Sequence, residues 1–395
     1  MDLAPPSFGH PAPLRLLVVA ARRDTDGAAW RGFAACVADP SITAHLLCGA
    51  AGMPPPPGIR IFQPFPEACF LAEAEPGFNA GDFTQRDADL LRRLASLLEE
   101  MAPDIVHLHD LAPFGMELIA LLRREHPRTR ILLSLTPDLA RRLGILEPLG
   151  APSGDFLRMA PLRRFLAETT LLLPCESLLP ACLAFGLDPA RLLVHAPLPP
   201  AVTPVAMPPL GRFLVVAAFP EDEADAAMFV TASDLMAKIP AARGIRLELH
   251  GGWEGQEALM AAASHPGSPI ALLPGDAPRP DILAAAHLAL LPHPEGADPE
   301  GLAQLALAQR RPVICAGQGP LAAQVQAGRD GWHIAMNGAS LADLLLSLHE
   351  APGAVAAMAE ALLEPPSPEE AAAALVALYR EAAADPARIA PPERL

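Results

Sequence analysis

Short apolar runs alternate with amphipathic segments along most of the chain. The run LRLLVVA at residues 14–20 ends in charged residues, which is typical of a buried parallel strand that leads into a loop. Further strands are predicted in this half of the chain at residues 42–50, 58–65, 104–110, 130–138 and 170–177. Residues 87–101 predict an amphipathic helix, because leucines recur there every three or four positions after an acidic start.

A second series of strands and helices follows a proline-rich segment. This segment, at residues 195–211, shows no periodicity, so we interpret it as a semi-rigid linker between domains. Strands are then predicted at residues 211–219, 244–252, 270–276, 287–293 and 312–317. Helices are predicted at residues 222–239, 255–264, 279–286, 300–310, 321–327 and 341–349. Ser367 is expected to cap a last helix at residues 367–384, with proline and two glutamates in its first turn.

Strands that alternate with helices on both sides of a linker predict two doubly wound α/β domains. Each domain is expected to be Rossmann-like, with a parallel sheet at its centre. We assign residues 1–13 to a disordered tail, 14–194 to the first domain, 195–211 to the linker, 212–366 to the second domain and 367–395 to a C-terminal helical segment. Ligands of such sheets bind beyond the carboxyl ends of the strands, so two domains that face each other predict a cleft.

Composition and charge exclude several classes of protein. The net charge of −16 argues against a nucleic-acid partner, because phosphate backbones require a basic face. The six cysteines form no C-x-x-C pair and are interpreted as buried free thiols. The N-terminal stretch lacks a cationic start followed by an apolar run, so no signal peptide is expected. No apolar stretch reaches the about 18 residues that a bilayer span requires, and we expect a cytoplasmic protein.

The stretch PDIVHLHD at residues 103–110 carries candidate chemistry. Alternate residues of a strand point to one side, so His107 and His109 are expected to share a face, and Asp110 follows them. One interpretation is a histidine bonded to a backbone carbonyl beside a second histidine at the edge of a loop. Another is a pair that binds an acceptor or handles protons, with His109 and Asp110 as catalytic residues. A metal site is a third, but it lacks an evident third ligand.

Several segments resemble glycosyltransferases of the GT-B fold, and above all the retaining, nucleotide-sugar-dependent enzymes called family 4 or group 1. PDIVHLHD is similar to the family's PDVVHAHD strand, and IRLELHGG at residues 245–252 is similar to the strand and glycine turn that approach the donor. Residues 287–319 resemble the family's donor-site segment, and residues 325–335 resemble its EVVEDGVNGLLV segment. The resemblance covers roughly residues 14–379. It implies that the first domain binds the acceptor, that the second binds the donor, and that the last helix packs back on the first domain.

This chain departs from the family at the positions that neutralise the donor diphosphate and flank the reacting sugar. Ala218 stands at the position of the family's arginine, and acidic residues stand where its lysine is expected. Thr136 or Pro137 replaces the histidine of the family's TVHD strand end. Arg22 and Arg23 follow the first strand and are either part of a solvated turn or contacts for a phosphate or an acceptor anion, which guanidinium groups bind well.

The family's paired glutamates are also displaced. Alignment on RPVI puts Ala297 and Leu305 at their positions, while Glu295, Glu300 and Gln304 lie nearby as substitutes or as solvated side chains. Glycine turns after two strands either bind the nucleotide or are simple turns, and Trp253 is either a stacking surface or an edge-of-core residue. The candidate donor-binding residues are Gly251, Gly252, Glu295, Glu300, Gly301, Gln304, Gly317 and Gln318.

The resemblance implies a transferase that moves a sugar from a nucleoside-diphosphate sugar to a glycan, lipid or protein acceptor. The alternative is an inactive GT-B subunit that regulates or scaffolds a glycosylation or polysaccharide complex. Backbone amides and a cation would stabilise the leaving diphosphate, so neither a metal nor another cofactor is expected. The expected partners are the nucleotide sugar, the acceptor and, through peripheral association, a membrane-linked glycosylation complex.

Overall fold

In the computed structural model, the described part of the chain forms two β-sheets of parallel strands with flanking helices. The described residues are 13–20, 28–48, 61–62, 88–109, 115–136, 139–140, 143, 145, 166, 169–195, 202, 204–211, 213–220, 223–253, 256–292, 299–318, 320–363 and 366–384. The first sheet contains β1 Leu14–Ala20, β2 Ile42–Cys48, β3 Ile61–Phe62, β4 Ile105–Leu108, β5 Arg130–Ser134, β6 Thr170–Leu173 and β7 Leu192–Val194. The second contains β8 Leu214–Ala218, β9 Ile245–Gly251, β10 Ile270–Pro274, β11 Leu288–Leu291, β12 Val313–Ala316 and β13 Gly331–Ile334.

Helices connect these strands, as parallel pairing requires. In the first half they are α1 Ala28–Ala38, α2 Ala88–Met101, α3 Gly115–Glu125 and α4 Leu179–Ala184. In the second half they are α5 Glu223–Met236, α6 Glu257–Ser264, α7 Arg279–Ala285, α8 Pro299–Ala308, α9 Pro320–Gln324, α10 Gly338–Glu350, α11 Pro352–Ala361 and α12 Pro368–Ala384. None of these described helices is long and apolar enough to cross a bilayer.

Both sheets reverse their strand order near the middle. The first has the order β3-β2-β1-β4-β5-β6-β7 and the second the order β10-β9-β8-β11-β12-β13. All described pairs are parallel, so the carboxyl ends of the strands meet at one edge of each sheet. The order reverses between β1 and β4 and again between β8 and β11, and such switch points are where doubly wound folds bind ligands.

The expected fold class, two doubly wound α/β domains, is confirmed. Sequence patterning missed two short edge strands, β7 and β13, and the helix α11. The helix predicted at residues 321–327 is shorter and ends at Gln324. Burial of free thiols holds for Cys36, Cys182 and Cys315, whereas Cys175 is only partly buried.

The last helix, α12, begins with the expected cap. The hydroxyl of Ser367 accepts a hydrogen bond from the Glu370 backbone N–H at 3.1 Å, and the Glu370 carboxylate accepts one from the Ser367 N–H at 2.9 Å. This reciprocal pair is a capping box. The buried face of α12 joins the apolar cluster of strand β1 and helix α1, and its members are Ala371, Leu375, Val376, Tyr379 and Ala382.

Arg311 connects the proline-rich segment to the second half of the chain through hydrogen bonds. This side chain is completely buried, and the nearby Gln309 is also buried. The Gln309 side-chain oxygen accepts a hydrogen bond from the Val205 N–H at 3.2 Å. The Arg311 guanidinium donates to the backbone carbonyl oxygens of Val205, Ala206, Leu283, Ala284 and Gln309 at distances from 2.7 to 3.4 Å.

Candidate functional site

The two histidines of β4 lie in a polar cluster at the switch point of the first sheet. Strand β4 pairs with β1 and β5, and His107 stands opposite Val18 and Leu132. The His107 ring is 2% exposed, while His109, just past the strand, is partly buried. The two ring centroids are 4.0 Å apart, so the rings share one face as strand alternation predicts.

Two hydroxyl groups complete this histidine cluster, which consists of His107, His109, Ser134 and Tyr379. The Tyr379 hydroxyl lies 2.6 Å from Nδ1 of His107, and the Ser134 hydroxyl lies 2.9 Å from Nε2 of the same ring. The Ser134 oxygen also lies 3.5 Å from Nδ1 of His109. Both nitrogens of His107 therefore face hydroxyl groups, and not the backbone carbonyl that one interpretation expected for the buried histidine of the pair.

Burial keeps the titratable members of the histidine cluster neutral. Loss of hydration lowers the pKa of His107 well below its ordinary value, and repulsion from His109 and His195 lowers it further. Loss of hydration also lowers the pKa of His109 to about 4. The same cause raises the pKa of the Tyr379 hydroxyl well above its ordinary value. At neutral pH these three side chains therefore act through hydrogen bonds rather than through charge.

The variant His109→Gln should flatten the dependence of stability on acid pH. The folded-state pKa of His109 is about 4 and that of an unfolded histidine is about 6.5, so the unfolded chain binds more protons between these values. The contribution of the neutral ring to the free energy of unfolding is fully present above about pH 6.5 and is lost as the pH falls towards about 4. The variant should reduce the slope of the unfolding free energy by up to about 1.4 kcal/mol per pH unit.

Urea denaturation across this pH range measures that slope. The matched control is His265→Gln, the same substitution at a histidine whose side chain is exposed. An unchanged slope in His109→Gln would contradict the burial of a neutral ring at this position.

In the second half, Gly251 and Gly252 lie where strand β9 ends, beside a pocket of about 580 Å³. Trp253, Leu272 and Pro274 complete its lining. Trp253 is partly buried, and it packs against the core of the second sheet while it lines the pocket. It is thus both an edge-of-core residue and a candidate stacking surface for a planar ligand.

Backbone packing fixes the shape of this pocket. A Cβ atom at Gly275, in the turn after β10, would lie 3.0 Å from the Cα of Gly251 and 3.3 Å from its nitrogen. Glycine therefore allows the two turns to approach each other closely. A Cβ atom at Gly252, by contrast, would meet no atom within 4 Å. The pocket is open at Gly252, where a bound molecule has room to contact the backbone.

His250, which precedes the glycine turn, is a buried polar side chain that sequence analysis did not single out. Its ring centroid lies 5.8 Å from that of Phe219, which follows β8. Its Nε2 atom lies 3.9 Å from the Glu248 carboxylate. Burial lowers the pKa of His250, while the Glu248 carboxylate and a hydrogen bond with the Pro274 backbone oppose this shift in part.

Arg279 adds a positive charge near the end of β8. Ala218, at the position of the family's arginine, is completely buried and presents only a methyl group to the core. The guanidinium carbon of Arg279, the first residue of helix α7, lies 5.9 Å from the Phe219 ring centroid. Arg279 thus supplies a positive charge close to Ala218, where this chain lacks the arginine of the family that it resembles.

The other predicted donor-binding residues have varied environments. Gly301 and Gln304 are partly buried in helix α8, and Leu305 packs into the apolar cluster beneath that helix. Gly317 and Gln318 are exposed after strand β12. Arg22, Arg23, Asp110 and Glu295 lie outside the described residues, as does the side chain of Glu300.

Ser134 and Tyr379 are the members of the histidine cluster that sequence analysis missed. Tyr379 is the only tyrosine in the chain, and it recurs with Leu375 and Ala382 on the buried face of α12. A hydroxyl group on an otherwise apolar helix face requires a buried partner, which was the available signal. Within the described residues, no three His, Cys, Asp or Glu side chains converge to hold a metal ion.

Solved structures similar to this chain share its two-domain GT-B fold. A glycosyltransferase from Rickettsia africae has a TM-score of 0.60 at 12% identity, over 94% of this chain and 99% of its own. A UDP-GlcNAc 2-epimerase from Neisseria meningitidis bound to UDP-GlcNAc has a TM-score of 0.59 at 12% identity, with coverages of 93% and 100%. HepE from Anabaena, in complex with UDP and glucose, has a TM-score of 0.55 at 14% identity, with coverages of 93% and 98%. No protein-family model and no curated protein matches the sequence.

Proposed function

We propose that this protein binds a UDP-sugar against its second domain and transfers the sugar to an acceptor at the first. The observation that carries the proposal is the pocket of about 580 Å³ at the carboxyl ends of β9 and β10, lined by a glycine turn and a tryptophan. A planar base stacks well on an indole, and open backbone at Gly252 permits close approach. Structurally similar proteins bound to UDP, UDP-GlcNAc or glucose support the choice of ligand.

Transfer requires stabilisation of the diphosphate as the bond between sugar and phosphate breaks. The groups available on this chain are the Arg279 guanidinium and backbone N–H groups of the turn at Gly251 and Gly252. On the first domain, the partly buried His109 is the member of the histidine cluster that can meet an acceptor, while His107 is buried behind it. The His109 ring is neutral, so it orients an acceptor hydroxyl rather than attracts an anion.

A second candidate function is binding without catalysis, as a regulatory or scaffolding subunit. Three positions of the family's catalytic pattern carry structural residues here. Ala218 and Leu305 are buried in the core. The Thr136 hydroxyl accepts a hydrogen bond from the Leu139 N–H at 3.1 Å and so caps the following turn. This candidate predicts nucleotide-sugar affinity without turnover.

A panel of UDP-, GDP- and ADP-sugars tests these functions. Thermal shift measures binding, release of free nucleotide measures transfer or hydrolysis, and chromatography of the recovered sugar nucleotide detects epimerisation. A shift with UDP-sugars and slow release of UDP support the transferase. A shift without release supports the non-catalytic subunit. An epimerised sugar nucleotide would contradict both candidate functions and indicate an epimerase. The absence of a shift with any nucleotide would refute the proposed ligand.

Trp253→Ala should weaken binding about 10-fold, because loss of a stacking surface costs about 1–3 kcal/mol per base. Trp332→Ala is the matched control, since Trp332 also packs partly against the second core but lies on β13, the opposite edge of the sheet from β10. Isothermal titration of both variants with the UDP-sugar identified by the panel makes the comparison. Equal affinity in Trp253→Ala and the wild type would show that the indole does not contact the nucleotide.

A further inference from the structure

The histidine cluster contains a chain of hydrogen bonds that begins on the last helix and ends at the switch point of the first sheet. Tyr379, 1% exposed, approaches Nδ1 of His107 at 2.6 Å, and Nε2 of His107 approaches Ser134 at 2.9 Å. Ser134 then reaches Nδ1 of His109 at 3.5 Å, which is the longest link. These hydrogen bonds link Tyr379 to His109, which are 270 positions apart in sequence, through the side chains of His107 and Ser134.

The buried tyrosine hydroxyl sets the direction of this chain. Tyr379 stays protonated, and among the described residues its O–H has one hydrogen-bond acceptor, Nδ1 of His107. A neutral imidazole has one protonated nitrogen and one acceptor. His107 must therefore carry its proton on Nε2 and donate it to Ser134. The Ser134 O–H is then directed at Nδ1 of His109, which leaves the proton of that ring on Nε2.

We propose that Tyr379 is a positioning residue that, through His107 and Ser134, fixes His109 in the tautomer protonated on Nε2. His109 then offers a hydrogen-bond donor to an oxygen atom of the bound acceptor or donor. This assignment rests on the proposed transferase function for the identity of that oxygen, but the hydrogen-bond chain itself rests on geometry alone. Nε2 of His109 has no hydrogen-bond partner within the described part of the chain.

The tautomer decides which chemistry His109 performs. A general base needs an accessible lone pair and a pKa near the working pH. In this arrangement the lone pair of Nδ1 is occupied by Ser134, and the pKa of about 4 makes the ring a weak base. In this arrangement His109 acts as a hydrogen-bond donor that orients and polarises an oxygen, rather than as a general base.

Long-range proton–nitrogen correlation spectra of full-length protein labelled with ¹⁵N-histidine test the proposal. In the wild type, both cluster histidines should show a protonated Nε2 and an unprotonated Nδ1. Tyr379→Phe removes the first donor, so both His107 and His109 should become mixtures of tautomers. Ser134→Ala breaks the chain beyond His107, so only His109 should change. His107→Gln and His109→Gln each delete one set of signals and assign the spectra.

Leu375→Val is the matched control on the same helix, because it alters packing on the buried face of α12 without removing a member of the hydrogen-bond chain. It should leave both tautomers unchanged. If Tyr379→Phe fails to fold, Ser134→Ala retains the test from the first sheet. A wild-type His109 protonated on Nδ1, or a His109 that stays unchanged in both chain variants, would overturn the proposal.

The spectra and the nucleotide-sugar panel test the two proposals separately. The expected tautomers in a protein that binds no nucleotide sugar would support the hydrogen-bond chain and refute the transferase function. Binding and turnover with the opposite tautomer of His109 would refute the hydrogen-bond chain and support the transferase function.

Discussion

Arg311→Met should destabilise the folded protein by about 3–5 kcal/mol, the range expected when one partner of a buried charged network is removed. The guanidinium donates to carbonyl oxygens from the proline-rich segment and from the end of helix α7. Methionine fills much of the volume but supplies no donor, so several buried carbonyl groups lose their hydrogen bonds. Burial lowers the pKa of Arg311 to about 10, which leaves the side chain charged at neutral pH.

Chemical denaturation monitored by circular dichroism measures the loss. The matched control is Arg243→Met, because Arg243 is exposed and its replacement should change stability by less than about 0.5 kcal/mol. Limited proteolysis of Arg311→Met should also cleave near Val205 earlier than in the wild type, since two of the lost acceptors lie at Val205 and Ala206. Equal stability of Arg311→Met and the wild type would show that the segment is held by other contacts.

Gly252→Leu should abolish nucleotide-sugar binding, lowering affinity about 100-fold or more, which corresponds to about 2.7 kcal/mol. Leucine at this position enters open space, because no atom lies within 4 Å of the added Cβ. The position has no left-handed backbone that would oppose a side chain. The substitution therefore fills the pocket beside Trp253 and Leu272 while the surrounding protein keeps its packing.

Gly211→Leu is the control for this variant, since Gly211 is also exposed and its Cβ would meet only the Pro209 carbonyl oxygen, at 3.8 Å. Both variants should melt within about 2 °C of the wild type. Isothermal titration with the UDP-sugar identified by the panel then compares their affinities. Wild-type affinity in a folded Gly252→Leu protein would exclude this pocket as the nucleotide site.

The fold could be read from the sequence because its strands obey simple patterns. Leu16 and Val18 face one apolar cluster while Leu17 and Val19 face another, so the whole run is buried, as expected of a central parallel strand. The capping box at Ser367 was equally visible, since its geometry depends on residues three positions apart. The edge strands β7 and β13 were missed because three or four residues carry too little periodicity.

The site was harder to predict because its contacts join distant parts of the chain. Strand alternation places His107 and His109 on one face, but only the docking of α12 brings the Tyr379 hydroxyl to His107. The pocket at Gly252 likewise depends on the turn at Gly275, which approaches it only after β9 and β10 have paired. Local propensity contains no information on such pairs.

Hydrogen–deuterium exchange with and without a UDP-sugar tests most directly whether the second domain holds the nucleotide. We expect slower exchange at residues 250–253 and 272–276, which span the carboxyl ends of β9 and β10 and the turns after them, and smaller changes around the histidine cluster in the absence of an acceptor. Protection confined to the first sheet, or no protection at a concentration that shifts the melting temperature, would contradict it.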